Sequence, residues 1–246
     1  MAHLGDVWVR ARRALIPDGF VAGVIFILIA SPIMALGLLI TISTPWGVGP
    51  WDVLHLGLAG KTGLTIGRAN QLTGLLVILL TLLLGGRTVT LVTLMNVTLV
   101  GTWLDLYNSW NVVPYVSGPA GLAYLALGVL VVGFGIALYL HPDLGAGPRD
   151  GLMLVLTQRT GQPLYRVKVA MDITAMLTGL ALGGPVGIGT IVVALGLGPA
   201  IHFFRRVLRA LDPRIARRAP EGRAVKLRQV SEGQLSDESQ QRRMAP

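Results

Sequence analysis

The sequence predicts an all-α, polytopic transmembrane protein, built from two tandem repeats with about six spanning helices and two short broken or re-entrant helices. Composition is the first support: 52% of the 246 residues are hydrophobic, 13% are charged, and the mean hydropathy is +0.65. Soluble domains typically carry about 25% charged residues. The other two supports are a series of long uncharged segments and an internal repeat in the chain.

The internal repeat has a spacing of 98 residues and needs no gap. The segment Gly47-Val-Gly-Pro-Trp-Asp52 returns as Gly145-Ala-Gly-Pro-Arg-Asp150. When residues 47–101 are aligned with residues 145–199, 16 of the 55 pairs are identical, and they include Gly, Pro, Asp, Thr and Arg as well as Leu. Duplication of this kind in an apolar chain is typical of membrane transporters, whose binding sites lie between the repeats.

The long uncharged segments define the predicted spans. A helix needs roughly 20 apolar residues to cross a bilayer, with about 17 as the lower limit. Five segments meet this requirement: 20–42, 69–86, 88–104, 112–140 and 173–204. The last one is interrupted by Gly183-Gly-Pro185, so it is predicted to form two helices and to bring the total to six spans.

Two helical segments are too short to cross the membrane. Pro50–Gly60 and Pro148–Gln158 each cover only about 16 Å of a hydrocarbon core that is about 30 Å thick. They occupy the same place in each repeat, and Gly and Pro residues precede each of them. Short segments at matching positions indicate a transporter-type site. The alternative interpretation is a pair of amphipathic helices that lie on the membrane surface.

Positive charges predict the orientation of the chain. Arginines flank the apolar region on both sides: Arg10, Arg12 and Arg13 before it, and Arg205, Arg206 and Arg209 after it. Because cytoplasmic loops are enriched in Lys and Arg, both termini are predicted to be cytoplasmic, which requires an even number of spans. Three spans in each half with inverted repeats is the favoured arrangement, and four spans in each half with parallel repeats is the alternative.

Four segments follow from this organisation. Residues 1–19 are predicted to be a cytoplasmic N-terminal segment, 20–111 the first membrane repeat, 112–211 the second membrane repeat, and 212–246 a disordered cytoplasmic tail. The tail is polar and poor in large apolar residues. Its basic first part is expected to contact anionic lipid, which accounts for much of the net charge of +9 without a nucleic-acid partner.

The repeated short segments carry the leading candidate residues for binding. Asp52 and Asp150 lie in the first helical turn, where an acid complements the helix dipole, so a purely structural capping role is one interpretation. The functional interpretation is that Asp52 and His55, three residues apart on one helix face, meet Arg149 and Asp150 from the other repeat. Trp51 occupies the position equivalent to Arg149, so one repeat offers an aromatic face and the other a guanidinium suited to an anion.

Three further charged residues complete the predicted site. Arg68 and Arg166 open equivalent spans, where their side chains either extend to lipid headgroups or contribute to the site. Asp172 lies one turn inside its span, and an intramembrane carboxylate is a functional candidate by default. Lys168, four residues before it, can instead neutralise it on the same helix face.

The motifs around the short segments resemble a known family. Gly47-x-Gly-Pro-Trp-Asp-Val-Leu-His55, Gly145-Ala-Gly-Pro-Arg-Asp-Gly-Leu-Met-Leu154 and Leu182-Gly-Gly-Pro-Val-Gly-Ile-Gly-Thr190 are similar to the YczE branch of the YczE/YitT bacterial membrane proteins. The resemblance covers roughly residues 20–206 and implies a multi-pass protein of the bacterial plasma (inner) membrane. It implies no substrate. The first half departs from the pattern, because Thr88-Val-Thr-Leu-Val-Thr93 stands where the second half has its Gly-rich turn.

The favoured function is transport or export of a small anionic or amphipathic solute through a site between the repeats. The alternative is a non-transporting membrane scaffold or partner protein. An enzyme is not predicted, because the chain has no cysteine and no HExxH, GxSxG or P-loop motif. An intramembrane hydrolase that uses Asp52 and Asp150 is the one enzymatic alternative. No cofactor or metal site is predicted, and the expected partners are membrane lipids and the solute.

Overall fold

A computed structural model describes residues 20–86, 89–140 and 147–211. Within these ranges the chain is entirely helical, with eight α-helices and no strand: α1 Phe20–Ile42, α2 Pro50–Thr62, α3 Ile66–Leu83, α4 Leu91–Ser109, α5 Gly118–Tyr139, α6 Pro148–Thr160, α7 Leu164–Ala181 and α8 Ile188–Leu211. Residues up to Arg205 belong to one compact unit, and 206–211, the end of α8, are the described part of a second unit. The predicted N-terminal segment 1–19 and tail 212–246 lie outside the described residues.

The two short helices begin and end at the same kinds of residue. Pro50 and Pro148 stand at the first helical position, where the missing N–H costs no hydrogen bond and the fixed φ suits a helix. Gly63 and Gly161 follow the last turns with φ of 72° and 64°, a left-handed conformation that most other residues adopt only at a cost. With 13 residues each, these helices are about 20 Å long, so they cannot cross a bilayer core unaided.

Four of the described helices have both the length and the hydropathy of membrane spans: Val21–Ile42, Ile66–Leu83, Gly118–Tyr139 and Ile188–Leu211. The all-helical membrane fold is therefore confirmed, whereas the count of six spans also needs α4 and α7. These two are long enough, with 19 and 18 residues, but Asn96 and Asp105 make α4 more polar, and three charged side chains do so in α7. The outer face of α3 is apolar and exposed, as expected for contact with lipid.

Close backbone contacts join helices from the two halves of the chain. Helices α1 and α5 pack against each other, and a Cβ added to Gly37 would lie 2.5 Å from the backbone nitrogen of Val132. Helix α2 packs on α7, where a Cβ on Gly179 would lie 2.5 Å from the Cα of Leu54. Only glycine allows the helices to approach this closely. Helix α3 likewise packs on α6, so each half extends a short helix to the other half.

Candidate functional site

A cavity of about 300 Å³ lies at the centre of the helical unit. All eight described helices, or the residues that directly precede them, contribute to its wall. The first turns of α2 and α6 both reach it, through Gly49 to Asp52 and Gly147 to Asp150. The cavity volume is at the small end of the range of about 300–1,000 Å³ that is typical of ligand pockets.

Polar side chains at this cavity form a network between the two halves of the chain. The indole Nε1 of Trp51 donates a hydrogen bond of 2.9 Å to Oδ1 of Asp172. The other carboxylate oxygen of Asp172 accepts a hydrogen bond of 2.6 Å from Nζ of Lys168. Lys168 therefore pairs with Asp172 as the helical spacing predicts, and Asp172 in addition connects α7 to α2.

The imidazole of His55 is the centre of a second set of contacts. Its Nδ1 lies 3.3 Å from Oδ1 of Asp52 and 3.4 Å from Nδ2 of Asn70, and its Nε2 lies 3.4 Å from Nη2 of Arg149. A guanidinium has donors only, so Nε2 must accept from Arg149. The Nδ1 atom then carries the proton and donates it to Asp52. Asp52 and Arg149 thus select the neutral Nδ1–H tautomer, and the amide nitrogen of Asn70 lies beside Nδ1 without donating to it.

Arg149 has no carboxylate within salt-bridge distance among the described residues. Its guanidinium carbon lies 4.6 Å from the ring centroid of Trp51, in a cation–π arrangement. The carboxylates that act on its charge are those of Asp52, Asp150 and Asp172. The sequence predicted that Arg149 meets residues of the other repeat, and the structure brings it to His55 and Trp51.

Asp52 and Asp150 occupy equivalent positions in different surroundings. Asp52 is 6% exposed and contacts His55, whereas Asp150 is exposed to the cavity. Each carboxylate turns back toward the glycine that precedes its own helix, Gly49 or Gly147. A side-chain acid in this position stabilises the helix N-terminus, so the capping interpretation and the cavity interpretation apply to the same two residues.

Arg68 and Arg166 are not part of the cavity wall. Both are exposed. The guanidinium of Arg166 donates to Oε1 of Gln162 and to the hydroxyl of Tyr165, each at 3.1 Å. The backbone nitrogen of Arg68 donates to the hydroxyl of Thr65, the residue that caps α3.

Several polar residues of the cavity wall were not among the candidates from the sequence, including Lys168 and Asn96. The helical spacing predicts Lys168 only as a partner of Asp172, and no prediction from the sequence covers Asn96 in α4. An amide in the middle of an otherwise apolar segment is a signal that could have identified Asn96, because such a group needs a partner in the membrane. The 98-residue spacing could have identified Lys168, since it corresponds to Asn70 in the first half.

Comparisons with known proteins agree with this description of the chain. Residues 21–206 match the model of DUF6198, a family of unknown function. The chain is 33% identical over 189 residues to the uncharacterized membrane protein YczE of Bacillus subtilis, covering 76% of this chain and 87% of that protein. An uncharacterized protein of Haemophilus influenzae is 34% identical over 189 residues, covering 75% and 84%. No solved structure matches significantly.

Proposed function

The chain belongs to the DUF6198 family as a YczE-type membrane protein, and we propose that it transports or exports a small amphipathic solute through the central cavity. In this proposal residues 20–111 and 112–211 are two inverted repeats, the chain crosses the bacterial inner membrane six times, and both termini are cytoplasmic. The protein binds and moves its solute and carries out no covalent chemistry.

The observation that carries the proposal is the composition of the cavity wall. Of the 32 described residues that line it, 24 form 12 pairs whose members are 98 positions apart. Trp51 with Arg149 and Asp52 with Asp150 are two such pairs. A wall lined in this way by equivalent residues is what a pseudo-twofold axis through the cavity would produce. A site on the axis between repeats is the arrangement found in many secondary transporters.

Two features of the surroundings also support transport. The short helices α2 and α6 begin at the cavity and are too short to cross a bilayer core, and broken helices of this kind commonly form the solute sites of transporters. The equivalent packing of α2 on α7 and of α3 on α6 provides two related interfaces that can exchange roles when access alternates. A scaffold protein needs neither an internal cavity nor charged side chains directed into it.

Site-directed labelling tests the proposal, because the chain contains no cysteine. Thr73→Cys and Ala194→Cys each place one thiol in the cavity wall, on α3 and on α8. Leu195→Cys is the matched control: it is the next residue, is 71% exposed on the apolar surface and does not line the cavity. Each variant is treated with a membrane-impermeant methanethiosulfonate, in intact cells and in inverted vesicles.

For a transporter with alternating access, both cavity thiols react from both sides of the membrane. The thiol of Leu195→Cys stays unreactive, because lipid excludes the reagent and disfavours the thiolate. If the cavity thiols react from neither side, the scaffold alternative is favoured and transport is refuted. Reaction from one side alone under all conditions also contradicts the proposal.

A further inference from the structure

Acidic side chains outnumber basic ones in the cavity wall, whereas the sequence favoured an anionic solute because of Arg149. Among the residues that the structure describes, two basic side chains, Arg149 and Lys168, and three acidic ones, Asp52, Asp150 and Asp172, line the cavity. Their formal sum is −1 when all are ionised. The anionic solute expected from Arg149 alone would therefore enter a wall of net negative charge, which electrostatic complementarity disfavours.

Both basic side chains already have partners in the polar network. Lys168 forms its 2.6 Å ion pair with Asp172, whose other oxygen accepts from Trp51. Arg149 stacks on Trp51 and contacts His55. An anion would have to compete with these contacts for either cation.

The N-termini of the two short helices at the cavity also have negatively charged partners within the protein. The positive end of a helix dipole attracts anions, but α2 holds Asp52 and α6 holds Asp150 in its first turn. Each helix therefore supplies its own negative charge at this end. Neither terminus remains as a free anion site.

Asp150 is the carboxylate of the described cavity wall that remains available to a solute. Its carboxylate is exposed to the cavity and forms no ion pair within 4.0 Å among the described residues. Asp52, by contrast, is buried against His55. A cation bound at Asp150 would bring the formal charge of the cavity to zero.

Asn96 provides an independent indication of a ligand. It lines the cavity and is 8% exposed, so more than nine tenths of it is buried. Its Nδ2 is 4.0 Å from the sulfur of Met34, and its amide oxygen has no hydrogen-bond partner among the described residues. This oxygen is not among the fully buried polar atoms of the described residues, so it is accessible and can accept a hydrogen bond from an N–H group of a solute.

Most of the rest of the wall is apolar. It includes Met34, Leu38, Val132, Ile136, Leu197 and Ile201. A hydrophobic body would gain from burial against these side chains. The wall therefore combines an available carboxylate, an unpaired amide oxygen and a hydrophobic surface.

We infer that the solute is an amphipathic organic cation, with an ammonium group held at Asp150 and a hydrophobic body in the apolar part of the cavity. This inference rests on the proposed function. It differs from that proposal in naming the charge of the solute, which the labelling experiment does not measure.

Calorimetric titration of the full-length protein in nanodiscs tests the inference with three probes of one shape. Near neutral pH, benzylammonium is cationic, benzoate is anionic and benzyl alcohol is uncharged. Heats from empty nanodiscs are subtracted to remove partitioning into lipid. Benzylammonium is expected to bind, and Asp150→Asn is expected to weaken it about 10- to 100-fold, the effect of losing a hydrogen bond to a charged group.

The matched control is Asp105→Asn, which removes one negative charge outside the cavity. Asp105 accepts from the Thr65 hydroxyl and the Gly67 backbone nitrogen, and an amide oxygen can still accept from the latter. Benzylammonium affinity should be unchanged in this variant. The ranking of the three probes on the unmodified protein needs no substitution, so the inference stays testable if Asp150→Asn does not fold.

Two results would overturn the inference: benzoate binding as tightly as benzylammonium, or benzylammonium binding equally well to Asp150→Asn. If the cavity thiols react from both sides but no probe distinguishes the charges, transport stands and the cationic solute is rejected. If the thiols are unreactive from both sides while benzylammonium binds at Asp150, the site stands and transport is rejected.

Discussion

The hydrogen bond from Trp51 to Asp172 connects the two halves of the chain, and Trp51→Phe removes its donor. Phenylalanine keeps an aromatic face for Arg149 but has no N–H group, so Oδ1 of Asp172 loses its 2.9 Å partner. Lys168 still holds the other oxygen. The substitution therefore isolates a single contact between α2 and α7.

The expected magnitude follows from the charge of the acceptor. Hydrogen bonds to charged groups contribute about 1.5–3 kcal/mol to stability. For a protein of this size, 1 kcal/mol corresponds to roughly 2–4 °C in the melting temperature. Trp51→Phe should thus lower the melting temperature by about 3–12 °C, because the carboxylate stays partly buried without its donor.

A double-mutant cycle provides the assay. Thermal unfolding of Trp51→Phe, Asp172→Asn and the double variant in detergent gives the coupling energy between the two side chains. Trp103→Phe serves as the control, since the indole of Trp103 packs on Tyr107 and lies outside the cavity wall. A coupling energy of about 1 kcal/mol or more is expected.

The reasoning would be refuted by a coupling energy near zero. It would also be refuted if Trp51→Phe cost no more stability than Trp103→Phe. Either result would mean that the indole and the carboxylate do not form this hydrogen bond in the membrane. The polar network between the halves would then not include the contact between Trp51 and Asp172.

Two further substitutions test the packing and the charge balance around the cavity. Gly179→Val should lower stability by at least about 2 kcal/mol, because its Cβ would overlap the backbone of Leu54. Gly60→Ala, in open space on an exposed helix turn, should raise stability by about 0.5–1 kcal/mol; equal melting temperatures for the two variants would contradict the packing of α2 on α7. Arg149→Gln should cost about 2–4 kcal/mol, because three carboxylates lose a nearby positive charge. Arg159→Gln, an exposed residue on the same helix, is its control in thermal unfolding, and equal losses would show that the Arg149 charge is unimportant for folding.

The contacts among the cavity's polar residues could be predicted in part from the sequence. The expectation that His55 and Arg149 meet came from the equivalence of the two short segments, and the 3.4 Å contact confirms that pair. The ion pair of Lys168 with Asp172 followed from their spacing on one helix. The exposed Arg166 illustrates the limit: its position in the repeat matches that of Arg68, yet neither lines the cavity.

The sequence by itself determined where the two short helices begin, whereas their ends at Thr62 and Thr160 lie two residues beyond the predicted ends at Gly60 and Gln158. Pro50, Pro148, Gly63 and Gly161 act through the φ angles and the missing N–H of their own residues, so their effect is local and can be read from the chain. Hydropathy likewise identified the apolar helices, because the free energy of transfer to lipid depends mainly on composition. Neither signal contains information on which helix contacts which.

Only the tertiary structure decided the partners of the charged groups. Helix α2 lies against α7 because Gly57 and Gly179 allow their backbones to approach, and these residues are more than 100 positions apart in the chain. That approach brings Trp51 to Asp172, and Asp150 lines the cavity with no ion-pair partner in the part of the chain that the structure describes. The choice between an anionic and a cationic solute depends on this pairing, because the charge available to a ligand is what remains after the protein's own side chains have paired.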